Sequence, residues 1–227
     1  MPPLASMATS FLVALPALFS IVNPLGGALI YNQVTLNRGR AERVSLAWQV
    51  ALYSAIVMLT ALWAGATLMS FFGVSIEALR VAGGLVVAAN AWEMLSNSKL
   101  TEDRKQEQAE PATGAADVAF FPLTMPFTTG PGTISVAIAL SAGRPSTAVE
   151  IVPFFAGQSA AAIAVAISVG VCYASADRVV SLLGAPQARV LSRLSAFLLL
   201  CIGVQILLTG IQGALAIVLK AAPAIAH

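Results

Sequence analysis

The sequence predicts an all-α integral membrane protein, and its composition and charge spacing both support that prediction. Charged residues make up 10% of the chain against 58% hydrophobic residues, and the mean hydropathy is +0.86. A soluble domain carries about a quarter charged residues, so this chain has too little polar surface to face water. The charges are also clustered, and the uncharged stretches between them have the length of membrane spans.

Five uncharged stretches are each long enough for a transmembrane helix, which needs about 20 apolar residues. A sixth candidate, residues 79–98, contains a single acidic residue near its end, Glu93. The sequence therefore predicts six transmembrane helices. The five uncharged stretches cover residues 1–37, 44–76, 118–143, 151–176 and 194–219.

Basic residues alternate between the two sides that six spans would create. Nine of the 12 Lys and Arg residues fall in the segments after the first, third and fifth spans. The other three are Arg80, Arg144 and Lys220. Because positive charge favours the cytoplasmic side, the nine residues are predicted to be cytoplasmic and both termini to lie outside.

The chain divides into two halves of three spans each. Residues 1–98 form the first predicted repeat and residues 118–227 the second. Residues 99–117 are rich in charge and Gln, which predicts a flexible, solvated cytoplasmic connector. An odd number of spans per half places the second copy upside down relative to the first. Such inverted repeats are common in secondary transporters, whose substrate site lies between the halves.

Small residues recur on the last span at intervals of seven: Ala196, Gly203 and Gly210. Residues seven apart lie on the same face of a helix. In membrane helices small side chains allow two backbones to approach closely. The pattern predicts a tight helix contact along this face.

Two spans are interrupted near their middle by proline and glycine. In the first span, Asn23 and Pro24 precede Gly26 and Gly27. Proline lacks an amide hydrogen and its ring clashes with the carbonyl one turn earlier, so a continuous helix is broken there. Asparagine is a preferred N-cap residue and proline is favoured at the first helical position. A new helix is therefore predicted to begin within the membrane at Pro24.

The fourth span repeats this break in the sequence MPFTTGPGT. Two helix N-termini would present unpaired amides and positive dipole ends to one region, which suits a carboxylate or another anion. The threonine hydroxyls could also bond to backbone groups that the break releases. The alternative is a kinked but well-packed helix. The predicted substrate-binding residues are Asn23, Pro24, Gly26, Gly27, Thr128, Thr129, Gly130, Pro131, Gly132 and Thr133.

Three more polar residues are candidates for ion coupling or for lining the pathway: Asn90, Glu93 and Gln205. Glu93 is the only carboxylate well inside a span, which favours a role in proton coupling. The alternative is an interfacial Glu93 that reaches cytoplasmic water or pairs with Lys99. H⁺ and Na⁺ are the coupling ions to be considered.

Other classes of function find little support in the sequence. An intramembrane enzyme needs a nucleophile with a base, a carboxylate pair or metal ligands, and the only histidine is His227 at the end of the chain. We predict no metal site and no cofactor. The net charge of +2 does not indicate a nucleic-acid partner, and there is no ATP-binding P-loop.

These motifs resemble those of the MarC family of small bacterial inner-membrane proteins. Ile21 to Gly26 resembles the family's IVNPLG stretch, and Phe120 to Leu123 with Gly130 to Ile134 resembles its FFPL and GPGTI stretches. The resemblance runs essentially from end to end. It implies a six-helix transporter-like protein of the bacterial inner membrane, and some members are described as neutral amino acid transporters. This sequence departs from the family at Gly27 and at Thr128-Thr129.

The leading hypothesis is a transporter of a small solute, most simply a neutral amino acid, working by alternating access. Helix N-termini would bind the carboxylate, while threonine hydroxyls and unwound carbonyls would bind the ammonium group or a coupling cation. A passive channel and an intramembrane enzyme are the alternatives. The expected partners are the lipid bilayer and the solute, and a homo-oligomer is left open, as is the direction of transport.

Overall fold

The computed structural model describes residues 3–112, 118–145 and 147–221, and these residues are almost entirely helical. No β-strand occurs within these ranges. A short 3₁₀ turn, Glu110–Ala112, follows the fifth helix, and an irregular helical segment, Ala119–Thr128, precedes the sixth. The helices are α1 (Pro3–Val22), α2 (Pro24–Val34), α3 (Arg40–Phe71), α4 (Ile76–Ser96), α5 (Ser98–Ala109), α6 (Pro131–Ser141), α7 (Ala148–Ala174) and α8 (Ala176–Ala221).

Five helical stretches in the described part of the chain are long and apolar enough to cross a membrane. Large apolar side chains cover their outer faces; Leu12 is 67% exposed and Phe71 is 84% exposed. A water-facing surface does not display so many of these side chains, so the predicted membrane protein is confirmed at this level. The stretches are Pro3–Val34, Arg40–Gly65, Ile76–Ser96, Val149–Ala174 and Arg189–Leu219.

The fourth predicted span is not a continuous helix. Its regular part, α6, has 11 residues, or about 16 Å at 1.5 Å per residue, against about 30 Å for the hydrocarbon core. The Ala119–Thr128 segment precedes it, with backbone bonds between residues five apart, such as Thr129 N to Thr124 O at 2.8 Å. Six crossings and an inverted repeat therefore stay predictions.

Both predicted helix starts are confirmed. Asn23 is the N-cap of α2 and Gly130 is the N-cap of α6, and in each case proline is the first helical residue. Asn23 adopts a left-handed backbone conformation, with φ 51° and ψ 66°, which bends the chain between α1 and α2. The two helices that follow the breaks have the same length of 11 residues.

The helices pack in a reciprocal pattern. α3 packs on α7, and α4 packs on α8. α2 contacts α7 and α8, whereas α6 contacts α3 and α4. Likewise α1 packs on α7, and the Ala119–Thr128 segment packs on α3.

The predicted small-residue face of the last span is confirmed as a close helix contact. A Cβ added to Gly203 would lie 2.6 Å from the backbone nitrogen of Ala88, and one added to Gly210 would lie 2.8 Å from that of Val81. Real Cβ atoms do not approach so closely, so the glycines allow the backbones of α4 and α8 to touch. Ala196 is also fully buried.

The predicted flexible connector is wrong for its first part. Residues 98–109 form α5, which packs on α2, α4 and the Ala119–Thr128 segment. Lys, Glu, Gln and Arg all favour helix, and this stretch has no Gly or Pro, so local propensity explains the outcome. Residues 113–117 of the predicted connector lie outside the described residues.

The C-terminal end of α2 is tied to α8 by polar contacts. Asn32 Nδ2 donates to Asp177 Oδ1 at 2.6 Å, and Arg43 Nη2 donates to the same oxygen at 3.1 Å. The Asn32 hydrogen bond, assisted by Arg43, holds the pKa of Asp177 below its usual range. The segments after α2 and after α7 therefore meet at one end of the molecule.

Candidate solute-binding site

The start of α6 exposes backbone donors that no other described residue uses. The carbonyl of Gly130 accepts from the amides of Thr133 (2.9 Å) and Ile134 (3.2 Å). Within the described ranges the amides of Gly130 and Gly132 have no hydrogen-bond partner, and Pro131 has no amide hydrogen. Unpaired amides at a helix N-terminus carry partial positive charge and attract an anion.

A cavity of about 150 Å³ lies beside this helix start. We name it the Gly132 cavity. Its walls come from the last turns of α1 and α4, from α5, and from the chain around Pro131. The lining residues are Ile21, Asn90, Glu93, Met94, Thr101, Arg104, Lys105, Gln108, Pro126, Phe127, Thr128, Gly130, Pro131, Gly132 and Thr133.

Gly132 brings the two breaks next to each other. A Cβ at this position would lie 3.5 Å from Ile21 Cδ1 and 3.7 Å from Asn90 Oδ1. Ile21 lies two residues before Asn23, so the end of α1 and the start of α6 share one wall of the cavity. These distances are ordinary contacts, so a methyl group fits at Gly132, and a larger side chain would extend into the cavity.

The cavity carries more positive than negative charge. Arg104 of α5 forms an ion pair with Glu93 of α4. Lys105 Nζ donates to the carbonyl of Val22, the last residue of α1, at 3.3 Å. Although the Lys105 side chain keeps partial exposure, its apolar surroundings lower its pKa to about 8. One carboxylate therefore faces two cationic side chains and the positive end of α6.

Two neutral side chains in the cavity remain unpartnered within the described chain. The amide of Asn90 and the hydroxyl of Thr133 make no hydrogen bond there, although both residues line the cavity. Thr128 differs, because its Oγ1 donates to the carbonyl of Leu123 at 2.6 Å. Asn90 and Thr133 are thus available to a solute in a way that Thr128 is not.

The threonines around the second break mostly serve their own backbone. Thr124, Thr128 and Thr129 each donate a hydroxyl to the carbonyl five residues earlier, at 2.6 to 3.1 Å. Thr128 and Thr129 thus bond to backbone carbonyls as predicted, although the Thr124 carbonyl also accepts from the Thr129 amide. The predicted backbone bond of the Thr133 hydroxyl is not found in the described structure. Thr129 is fully buried and does not line the Gly132 cavity.

The first break pairs both of its glycine amides, whereas the Leu25 amide has no hydrogen-bond partner among the described residues. Asn23 Oδ1 accepts from the Gly26 amide at 3.2 Å, and the Asn23 carbonyl accepts from the Gly27 amide at 2.9 Å. Asn23 Nδ2 donates to Ser192 Oγ of α8 at 2.9 Å. The Asn23 side chain thus pairs the Gly26 amide and its backbone carbonyl pairs the Gly27 amide, so no glycine amide is free at this break.

The remaining predicted site residues lie apart from this cavity. Asn23, Pro24, Gly26 and Gly27 do not line it, and Gln205 lines a different cavity beside α8. The substrate contacts of these residues stay predictions. Glu93 forms an ion pair with Arg104. This agrees with the alternative of an interfacial, paired Glu93, although the partner predicted there is Lys99. The side chain of Lys99 lies outside the described part of the structure.

Two cationic residues of the site, Arg104 and Lys105, are absent from the sequence prediction. The sequence places them in the predicted solvated connector, because this stretch is rich in charge and Gln. The uninterrupted run of strong helix formers after Ser98 is the signal that could have placed them on an ordered element. Position along the chain alone does not show that this element reaches the cavity.

Sequence comparison identifies the relatives of the chain. The profile described as "MarC family integral membrane protein" matches residues 8–215. The chain belongs to the MarC family. It is 32% identical over 211 residues to the inner membrane protein MarC of Salmonella typhimurium strain LT2, covering 88% of this chain and 92% of that protein. The namesake of Escherichia coli strain K12 is 33% identical over 206 residues, with the same coverage. No solved structure matches the chain.

Membership of the MarC family confirms the resemblance found in the sequence motifs. The matched region includes both helix breaks and every residue of the Gly132 cavity. The protein is therefore an integral membrane protein whose relatives carry names that denote a location rather than an activity.

Proposed function

We propose that this MarC-family protein transports a small neutral amino acid across the bacterial inner membrane by alternating access. The observation that carries the proposal is the Gly132 cavity, which combines unpaired amides, two cations and one carboxylate between two broken helices. Irregular backbone at membrane depth is tolerated where it lines a cavity. In secondary transporters such breaks form the substrate site.

The polar groups fit the two ends of a zwitterion. The carboxylate would accept hydrogen bonds from the Gly132 amide and from Lys105, which has two donors left after its contact with Val22. The ammonium group would bind Asn90 Oδ1 and Glu93. The volume of about 150 Å³ is below the roughly 300–1,000 Å³ of drug-sized pockets, which supports a substrate of a few heavy atoms such as glycine or alanine.

The proposal includes six crossings arranged as two inverted repeats. α1–α2, α3 and α4 would form the first repeat; the Ala119–Thr128 segment with α6, α7 and α8 would form the second. Exchanging the two sets exchanges the contacts of α2 with those of α6, because α2 lies on α7 and α8 as α6 lies on α3 and α4. The equal lengths of α2 and α6 support the same correspondence.

The charges support an orientation with the Gly132 cavity facing the cytoplasm. Arg43 and Asp177 meet at the end of the molecule that also carries α5, since Arg38 Nη2 donates to Ala112 O at 3.3 Å. Arg80 lies at the other end of α4 and contacts the backbone of Ala142 and Arg144. The positive-inside bias then places both termini outside. H⁺ or Na⁺ would couple transport, with Glu93 as the candidate carboxylate for a proton.

Uptake by purified protein in liposomes tests the proposal. Labelled glycine or alanine should enter with saturable kinetics and should exchange with unlabelled solute on the other side. Flux that does not saturate would indicate a passive channel, and recovery of a chemically altered solute would indicate an enzyme. Protein that moves no neutral amino acid under any ion gradient would refute the proposal.

A further inference from the structure

A second cavity, of about 360 Å³, lies at the opposite ends of α4 and α6. We name it the Gln158 cavity. Arg80 lines it near the start of α4, whereas Asn90 lines the Gly132 cavity. Ten residues of helix separate the two positions, or roughly 15 Å at 1.5 Å per residue. The two cavities are therefore distinct spaces on either side of the short helix α6.

A buried amide in this cavity has an unused acceptor. Gln158 of α7 is 2% exposed, and its Nε2 donates to the carbonyl of Leu140 at 3.0 Å. That bond fixes which end of the amide is the nitrogen. Its Oε1 has no hydrogen-bond partner among the described residues. Buried polar atoms are nearly always paired, so an unpaired one in a cavity wall points to a missing partner.

Further polar groups converge on the same cavity from other helices. Gln205 and Thr209 of α8 line it, and the Gln205 amide makes no hydrogen bond within the described chain. Arg80 and Glu150 add opposite charges to the lining. Gln158 Oε1 would accept a hydrogen bond from an ammonium group, and the Gln205 amide would donate to a carboxylate.

The rest of the wall is apolar and the space is larger. Val13, Leu140, Phe154 and Ile206 line the cavity together with the polar groups. Its volume is within the range of pockets for drug-sized ligands, whereas that of the Gly132 cavity is below this range. An amphipathic ligand with a large apolar group would fit only the Gln158 cavity.

We propose that the Gln158 cavity is a second binding site, which takes neutral amino acids with large apolar side chains such as leucine and phenylalanine. This inference rests on the proposed function for the zwitterionic class of the ligand. A large amino acid would bind in the Gln158 cavity and stop there, because the Gly132 cavity has no room for its side chain. Leucine would then inhibit the uptake of glycine without itself being taken up.

Titration calorimetry on the detergent-purified full chain tests the proposal, with L-leucine as the probe. Gly132→Leu fills the other cavity and should leave leucine binding unchanged. Gln205→Leu removes an exposed amide from the Gln158 cavity and should weaken leucine binding about tenfold, the usual effect of losing one hydrogen bond to a ligand. Gln49→Leu, which replaces an exposed amide on α3, is the matched control and should bind leucine as the wild type does.

Gln158→Leu should weaken leucine binding at least as strongly, and a thermal melt shows whether that variant remains folded. The proposal is overturned if the wild type binds no leucine, if Gly132→Leu abolishes leucine binding, or if Gln205→Leu leaves it unchanged. Glycine uptake in liposomes is a separate measurement. Leucine binding without glycine uptake would keep the second site and overturn the transport function.

Discussion

The two helices that follow the membrane breaks, α2 and α6, are alike in length and in their first residue but differ in the residue before it. Asn23 caps α2 with its side chain and leaves no glycine amide free. Gly130 caps α6 without a side chain, and the Gly132 amide remains unpaired in the described structure. A proline therefore starts a helix in both places, and the cap residue decides whether the third helical amide is paired by a side chain or by a backbone carbonyl.

The neighbours of the two helix starts differ in the same way. Gly27, in α2, packs against the buried ring of Tyr173, whereas Gly132 faces the cavity. Asn23 also ties α2 to Ser192 of α8. The first break is packed against Tyr173 and bonded to α8, whereas the second lines the Gly132 cavity. Five predictions test this difference, in order of the expected effect.

Filling the cavity at the second break should have the largest effect. Gly132→Leu would occupy the cavity beside Ile21 and Asn90, and we expect liposome uptake of glycine to fall to background. Gly132→Ala is the matched control, because its Cβ would make only ordinary contacts at 3.5 Å or more. Its uptake should stay close to that of the wild type, and equal loss in both variants would contradict the cavity assignment.

Removing the lysine charge should weaken the solute's carboxylate contact. A hydrogen bond to a charged group contributes about 1.5–3 kcal/mol, so Lys105→Met should raise KM for glycine by about 10–100-fold. The stem of Met keeps the apolar contacts. Lys105→Arg should retain most of the affinity because it keeps a cation at this place. An unchanged KM in Lys105→Met would remove Lys105 from the site.

The same lysine predicts a pH dependence. Uptake by the wild type should decline as the pH rises through about 8, where Lys105 loses its proton, and Lys105→Arg should not show this decline. Loss of the Lys105 proton should not itself destabilise the fold over this range. The folded pKa is below the ordinary value of 10.5, so the unfolded chain binds more protons between these values and stability rises with pH there.

Crowding the first break at Gly27 should affect the stability of the protein rather than its affinity for the solute. A Cβ at Gly27 would overlap the hydroxyl of Tyr173, whose side chain is buried. Overpacking of this kind costs about 1–3 kcal/mol, so Gly27→Ala should lower the melting temperature of the purified protein. Tyr173→Phe removes the hydroxyl and should restore part of the loss in the double variant. If the two substitutions change the melting temperature additively, the alanine at position 27 does not clash with the Tyr173 hydroxyl.

Removing the cap of α2 should have the smallest effect. Loss of an N-cap side chain costs about 0.5–2 kcal/mol, and Asn23→Ala should lower thermal stability by that amount. Asn23→Gly should cost less, because glycine tolerates the left-handed backbone at φ 51°. KM for glycine should change little in either variant. A loss of uptake as large as that in Gly132→Leu would show that the first break binds solute after all.

The sequence predicted the helix starts because proline chemistry is local. Pro24 and Pro131 define them without knowledge of the tertiary structure, and the spacing of Gly203 and Gly210 likewise indicates a helix contact. Which of the two breaks lines a cavity could not be predicted in the same way. That outcome depends on the backbone angles of Asn23 and on its partner Ser192, 169 residues away.

The cationic part of the site was missed for a related reason. α5 is polar on all sides, so its sequence gives no face that marks packing. Lys105 reaches the cavity only because α5 docks against α2, α4 and the Ala119–Thr128 segment, and such docking is a tertiary event. Local helix propensity shows that α5 forms but not where it lies.

The attachment of α5 is sensitive to ionic strength. This wall of the cavity is held in part by the Glu93–Arg104 pair, in which Glu93 is 41% exposed and Arg104 is 63% exposed. Dissolved ions screen exposed pairs of this kind. A rise in cytoplasmic ionic strength would loosen the wall and retain the solute less firmly, so, under the proposed function and orientation, osmotic stress would set how readily the solute is released.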